Sequence, residues 1–371
     1  MTLRTRAARA AAFAAAVVLA LAALAARAAA QSCGAVEWVC HKTADGQHPD
    51  GVEQAFVWLM NHARHDPVAE GAFLAGLDLA DPFVHAAVDF YGVDLGVMQD
   101  EFDALAPKPP AAFDRRLYSA ALGHANAMID ANSQDPACGG QGEPPCQLDR
   151  VGPAGFFFAA SGLRGNSLGF AQSPLYGHAA WNIDWGPFVP AVPPGMQPGR
   201  PHRNGVMGAP DAIATLDMTN VGIAAVATSG DLAPLVVVAN YANANTAVGD
   251  HYDRFLVGTV WQDLDGDALY DPGEGRSGVV VSTDAAARFA VTSAGGGYAI
   301  PVLSPGAMQV TFSGGGLPTH VADVTVGADS VLVDYEVPEP GAWAGGAIAA
   351  LALALLRSGR RMPQNSPPLG R

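Results

Sequence analysis

Apolar residues recur at helical spacing in the first half of the chain and at strand spacing in the second. "GVEQAFVWLMNHARHDPVAEGAFL", residues 51–74, places Ala55, Phe56, Leu59, Met60 and Ala63 on one helical face. That helix is expected to stop near Asp66-Pro67, because the residue before a proline is pushed out of the helical region. "FDRRLYSAALGHANAMIDA" predicts a second amphipathic helix through Leu117, Ala120, Ala121, Ala125 and Met128. "NVGIAAVAT" and "PLVVVANYAN" read as paired strands around a turn at Ser229-Gly230-Asp231. Helices enclosing a short antiparallel sheet make residues 50–243 an α+β domain. Beyond it, "FLVGTVWQ", "GVVVSTD", "GGGYAIPVLSPGAMQVTF" and "HVADVTVGADSVLVDYEV" give short strands broken by Gly and Pro. Residues 254–337 are therefore expected to form a small all-β sandwich.

The two ends follow a different pattern. Residues 1–30 combine Arg4, Arg6 and Arg9, an apolar stretch from Ala10 to Ala26, and small Ala28 and Ala30 before Gln31. This predicts a secretory signal peptide cut after Ala30, the alternative being an uncleaved anchor. At the other end, Val337-Pro338-Glu339-Pro340 precedes an uncharged apolar stretch, Ala342 to Leu356, and then Arg357, Arg360 and Arg361. The arginines would hold such a segment in a membrane with its basic end in the cytoplasm and the rest of the protein outside. In order and content, residues 337–361 resemble the PEP-CTERM sorting signal. That resemblance implies processing by an exosortase-type membrane enzyme, after transient anchoring, to a released or surface-attached form. The tail "MPQNSPPLGR" after Arg361 departs from it, since such signals end near the arginines.

Charge sharpens the picture of the exported part. Each end contributes four arginines and no acid, and removing these eight charges from the net −15 leaves −23 for residues 31–340. Such a surface repels nucleic acid and attracts cations. Four cysteines fall as two close pairs, Cys33 with Cys40 and Cys138 with Cys146, in a short Cys-bearing segment (31–49) and in the middle of the α+β domain. An even count in an exported chain favours local disulfides over zinc, for which neither pair has the spacing.

"DLDGDALYDPGE", residues 263–274, concentrates the acidity. Asp263, Asp265, Asp267, Asp271 and Glu274 occupy positions 1, 3, 5, 9 and 12, with the carbonyl of Leu269 at position 7. Six or seven hard oxygens in this order suit calcium (Ca2+), whereas without a cation the carboxylates repel one another. Position 6, glycine in an EF-hand, is Ala268, and strand-like flanks replace helices. "GTVWQDLDGDALYDPGEGRSGVVV" with its later hairpin resembles the calcium-binding B-type repeat of bacterial surface adhesins, which implies a stalk-like module that stiffens when calcium binds.

Residues 50–243 in turn resemble the CAP superfamily, the SCP-like fold of cysteine-rich secretory, antigen 5 and pathogenesis-related proteins. The resemblance rests on Asn61 and Arg64 in "LMNHAR", on "LYSAALGHANAMI", on Arg150, Gly155 and Phe156 in "DRVGPAGF", on His202 and Arg203 in "PHRNGVM", and on "VGIAAVA". It implies a CAP-type α-β-α sandwich whose cleft holds two His and two acids. Only His202 and Asp184 fit those places; Ser133 and Gln134 stand where the first His is expected, and Gly165 where the first Glu is expected. His202, Asp184 and Gln134 are the candidate cleft residues. His124 is expected to be a packed helical residue, His178 to lie outside the cleft, and Ser161 and Ser167 to sit in Gly-rich loops. No GxSxG, HExxH or Walker sequence is present. The resemblance implies binding of a lipid, glycan or protein without turnover; the alternatives are a hydrolase or peptidase built on His202 and Asp184, and a structural matrix protein.

Overall fold

The computed structural model describes residues 33–34, 36–134, 145–186, 194–208 and 216–339. The signal peptide, Cys138, Pro340 and the apolar C-terminal stretch lie outside these residues. The described chain is α+β, with helix and strand in similar share.

Helix α1 (Gly51–His65) starts at a capping box: Asp50 accepts from the Glu53 amide at 3.0 Å, and the Glu53 carboxylate accepts from the Asp50 amide at 3.1 Å. It ends at Asp66, whose side chain caps helix α2 (Pro67–Ala80). Helices α3 (Pro82–Tyr91) and α4 (Leu95–Asp103) follow, each started by an aspartate cap. Leu74, Leu77, Val84, Val88, Met98 and Phe102 pack these three together. Then come β1 (Ala112–Phe113), α5 (Arg115–Ala131), α6 (Pro145–Val151), β2 (Phe158–Ala171), α7 (Pro174–Ala179) with a π-helical turn at Ala180–Asp184, α8 (Pro201–Val206), β3 (Asn220–Ala227) and β4 (Leu235–Ala244).

Four strands form the first sheet in the order β1-β3-β4-β2, parallel between β1 and β3 and otherwise antiparallel. The expected hairpin is β3 and β4, in register from Asn220↔Ala242 to Ala227↔Leu235. Phe56, Val57 and Met60 of α1 and Tyr118, Ala121, Ala125 and Met128 of α5 bury against Val221, Ile223, Val237 and Tyr241. Each large apolar side chain so buried contributes about 1.5 to 3 kcal/mol. Gly222 lets α5 approach the sheet, because a Cβ there would lie 2.0 Å from the Tyr118 amide nitrogen. Ser161 and Ser167, expected in loops, sit instead on β2. Antiparallel pairing with β4 satisfies that backbone despite its glycines, with register irregularities near both ends.

The second region holds β5 (Phe255–Trp261), β6 (Val279–Thr283), β7 (Ala290–Val291), β8 (Gly297–Pro301), β9 (Gly306–Gly314), β10 (Leu317–Val326), β11 (Val331–Leu332) and β12 (Tyr335–Glu336). One sheet runs β10-β9-β6-β7; in the other, β5 pairs with β8, β11 and β12. Leu256, Val260, Val281, Ile300, Val310 and Phe312 fill one core shared by these sheets.

The two regions are stitched together. The N-terminal segment, closed by the Cys33–Cys40 disulfide, donates from the Trp38 amide to Phe289 O at 2.8 Å, and Ala294 donates back to Gly46 O at 2.9 Å. Gln54 donates to Thr259 Oγ1 at 2.8 Å, His62 pairs with Asp334 at 2.8 Å, and the Trp58 and Trp261 rings meet edge-on at 5.8 Å. Helix α1 is thus packed on the first sheet and on the all-β region at once.

Candidate functional site

The acidic loop is seated directly on α1. Tyr270 is buried and donates from its hydroxyl to Gly295 O at 2.9 Å, while the Gly295 amide donates to Pro49 O at 3.0 Å. Tyr270 and Trp261 form a cluster with Ala55, Trp58 and Leu59 of α1, and Leu269 packs against it. Leu269 also lines two clefts, of about 390 Å³ beside Trp58, His62 and Phe73 and of about 240 Å³ beside Ser173 and Leu175.

Within the loop the carboxylates turn inward. Asp263 accepts from the amides of Gly266 at 2.7 Å and Ala268 at 3.0 Å, and Asp267 accepts from Leu269 at 2.8 Å. Oxygens of Asp263, Asp265 and Asp267 lie within 4.8 Å of one another. Glu274 is buried and closes the loop, accepting from the amides of Leu264 at 2.6 Å and Asp271 at 2.8 Å. Ala268 adopts φ 64°, so position 6 keeps the left-handed backbone that a glycine there would take without strain. Among the described residues none of the five carboxylates forms an ion pair with a basic side chain. Burial, and then the charges of Asp267, Glu274, Asp265 and Asp263, raise the Asp271 carboxyl above the ordinary range. The Gly266 amide, donating to it, leads the effects that lower Asp263. Three of the five carboxylates, Asp263, Asp265 and Asp267, thus converge at one edge of the loop, while both oxygens of Glu274 are taken by backbone amides.

Asp184 and His202, separated in sequence, come together. Asp184 ends the π-helical turn with φ 60°, a conformation that costs a non-glycine residue about 1 kcal/mol or more. Its carboxylate is fully buried, accepts from the His202 amide at 2.8 Å and the Arg203 amide at 3.3 Å, and meets His202 Nδ1 at 2.8 Å. The Asn166 side chain donates to His202 O at 2.9 Å. Arg203, in turn, donates to Asn182 O at 2.5 Å and to Glu101 at 2.5 Å, and Arg200 reaches the same carboxylate at 2.6 Å. Burial alone would raise Glu101, yet these two arginines pull it below its ordinary value. His202 is thus held at Nδ1 with its side chain about one-third exposed.

The other candidates are distributed around this node. Gln134 accepts from the Gly169 amide at 2.8 Å, on the same strand as Asn166 but without a hydrogen bond to Asp184 or His202. At Gly165 an added Cβ would lie 2.8 Å from the Gln147 amide nitrogen, which donates to Arg164 O at 2.6 Å and Asn240 at 2.8 Å. Gln147 therefore fills the space a glutamate at 165 would need. His124 is buried on α5, and His178 is buried against Glu70 at 2.7 Å. Asn61 and Arg64 clamp the backbone: Asn61 exchanges two hydrogen bonds with Ala111, and Arg64 donates to Val206 O at 2.6 Å and Met218 O at 2.5 Å. Burial lowers Arg64 to about 10.

Cys146 is disulfide-bonded. Val337 donates from its amide to Trp261 O at 2.7 Å, so Val337, Pro338 and Glu339 follow the last strand beside the loop's aromatic cluster. Sequence reasoning missed Glu70 and Glu101, whose partners His178, Arg200 and Arg203 lie about a hundred residues away. No local signal marks such pairs. No family model matches the chain, and no curated protein matches it.

Proposed function

We propose that this is an exported surface or extracellular protein that binds a lipid, glycan or protein ligand without turnover, through a CAP-type α/β domain held to a calcium-stabilised sandwich. The observation that carries the reading is the acidic loop: five carboxylates without basic partners, one of them buried, on a segment packed against α1. A bound calcium ion would supply the positive charge that cancels their repulsion. Asp263, Asp265, Asp267, Asp271 and Glu274 would hold it with the Leu269 carbonyl, while Tyr270 and Leu269 keep the loop against Trp58 and Leu59. The C-terminal PEP-CTERM signal, handled by an exosortase-type enzyme, would deliver the protein to the surface after transient membrane anchoring.

The ligand site of this reading is the His202 node, where a side chain about one-third exposed is held by Asp184 and its backbone carbonyl by the Asn166 side chain. Trp58, Trp261 and Tyr270 form a built-in reporter around the loop. Calcium added to the purified full-length chain should change tryptophan fluorescence saturably, and magnesium should not reproduce the change at equal concentration. An unchanged spectrum over millimolar calcium contradicts the reading.

The Asp184–His202 contact favours one second reading, a hydrolase or peptidase in which His202 acts as base and Asp184 orients it. Hydrolysis of peptide or ester substrates that is abolished in His202→Ala, with folding retained, would replace binding by catalysis.

A further inference from the structure

The corner between α2 and α3 presents an apolar surface that neither the acidic loop nor the His202 node uses. Along the outer face of α2, Val68, Ala72, Gly76 and Leu79 are exposed at helical spacing, and Phe83 and Ala86 continue the stripe on α3. Leu79 is 90% exposed, Phe83 54% and Val68 52%. Because the opposite faces are buried with Leu74, Leu77, Val84 and Val88, both helices are apolar nearly all round, which an ordinary surface helix is not. Scattered exposed apolar residues need no explanation; a stripe running across two helices and their corner does.

Charge decides what this stripe can receive. From His65 to Pro107 there is no Lys or Arg and there are nine Asp or Glu. Asp78 and Asp81 sit at the corner itself, Asp78 paired with His85 at 3.0 Å and Asp81 capping the amides of Phe83 and Val84. Among the described residues no single helix is long and apolar enough to cross a membrane, and α2 and α3, apolar enough as a pair, bend by 101°. Sinking the corner into a bilayer would also bury Asp78 and Asp81, and anionic headgroups would repel the surface. A second copy of this chain would bring the same negative charge against itself.

We propose that the α2–α3 corner is a docking surface for a cationic amphipathic segment of another protein. Its apolar face would lie along Val68, Leu79 and Phe83, and its Lys or Arg side chains would meet Asp78, Asp81 and Asp89. Such a partner satisfies the apolar stripe and the acidic rim together, whereas a lipid surface satisfies only the first.

The test uses the full-length chain and a fluorescent leucine–lysine amphipathic helix, with a scrambled peptide of identical composition as control, in low and high salt. Leu79→Ser/Phe83→Ser removes the apolar stripe without changing charge, and both side chains are exposed enough that the fold should be retained by thermal melt. The expected result is anisotropy binding of the amphipathic peptide over the scrambled one, weakened by salt and reduced at least about tenfold in the double variant. Equal binding of both peptides, or unchanged binding by the variant, would overturn the proposal. So would a variant that loses partitioning to phosphatidylcholine vesicles, or self-association on a sizing column, while keeping peptide binding.

Discussion

The acidic loop and the Asp184–His202 node both concentrate carboxylate chemistry, but they satisfy it differently. At the node a single carboxylate is fully buried and used up: two backbone amides and an imidazole meet it, and a strained backbone holds it in place. In the loop five carboxylates are gathered within twelve residues, four of them partnered by amides and, among the described residues, none by a basic side chain. Amide donors can orient such a cluster, yet they cannot cancel its charge. The node is complete within the chain, therefore, whereas the loop's charge is left without a basic side chain among the described residues, which is what the proposed calcium ion would answer.

Removing Asp184 should have the largest effect. Asp184→Ala leaves two amides and His202 Nδ1 without their acceptor and is expected to destabilise the fold by about 3 kcal/mol, read by urea denaturation. A loss below about 1 kcal/mol would mean that the node is less complete than its geometry implies. The loop should respond to added calcium instead. Calcium at about a hundred times its dissociation constant should stabilise by about 2.7 kcal/mol and raise the melting midpoint by ~5 °C, and Asp263→Ala/Asp267→Ala should remove the gain.

Ala268→Gly probes the strain at position 6. With φ 64° the glycine variant should gain up to about 1 kcal/mol, measured in calcium so that the ion's contribution is constant. A clear loss of stability would show that the methyl group packs in the native loop. The smallest effect is the loop's pH dependence in chelator. Asp271 has a raised folded-state pKa, so its contribution to stability is present below the ordinary carboxylate range and is lost as pH rises through the raised value. Chelated protein should accordingly weaken, through Asp271, as pH rises across that interval, and Asp271→Asn should flatten the change in a series of melts. Protons and calcium compete for the same oxygens, so apparent calcium affinity should fall on acidification.

Legibility in the sequence followed locality. The loop's five carboxylates are contiguous, and Asp50, Glu53 and the apolar spacing of α1 mark a helix within a few residues. The β3–β4 hairpin is marked by its turn at Ser229-Gly230-Asp231. By contrast, α2 to α4 carry apolar residues on several faces, which blurs the period, and β2 carries Gly162, Gly165 and Gly169, so that only its partner β4 makes it a strand. Asp184 and His202 were legible as candidates, but their contact needed the π-helical turn and α8 to bring them together. The seat of the loop on α1 was likewise hidden, since Tyr270 and Leu269 meet Trp58 and Leu59 across about two hundred residues of chain.

The most direct test is calorimetric titration of calcium into the purified full-length chain, repeated with Asp263→Ala/Asp267→Ala. One saturable site in the native protein, absent from the double variant, is the predicted result. No saturable heat in the native protein, together with melting curves that coincide in calcium and in chelator, would contradict the account and leave "DLDGDALYDPGE" an acidic turn held by its own amides.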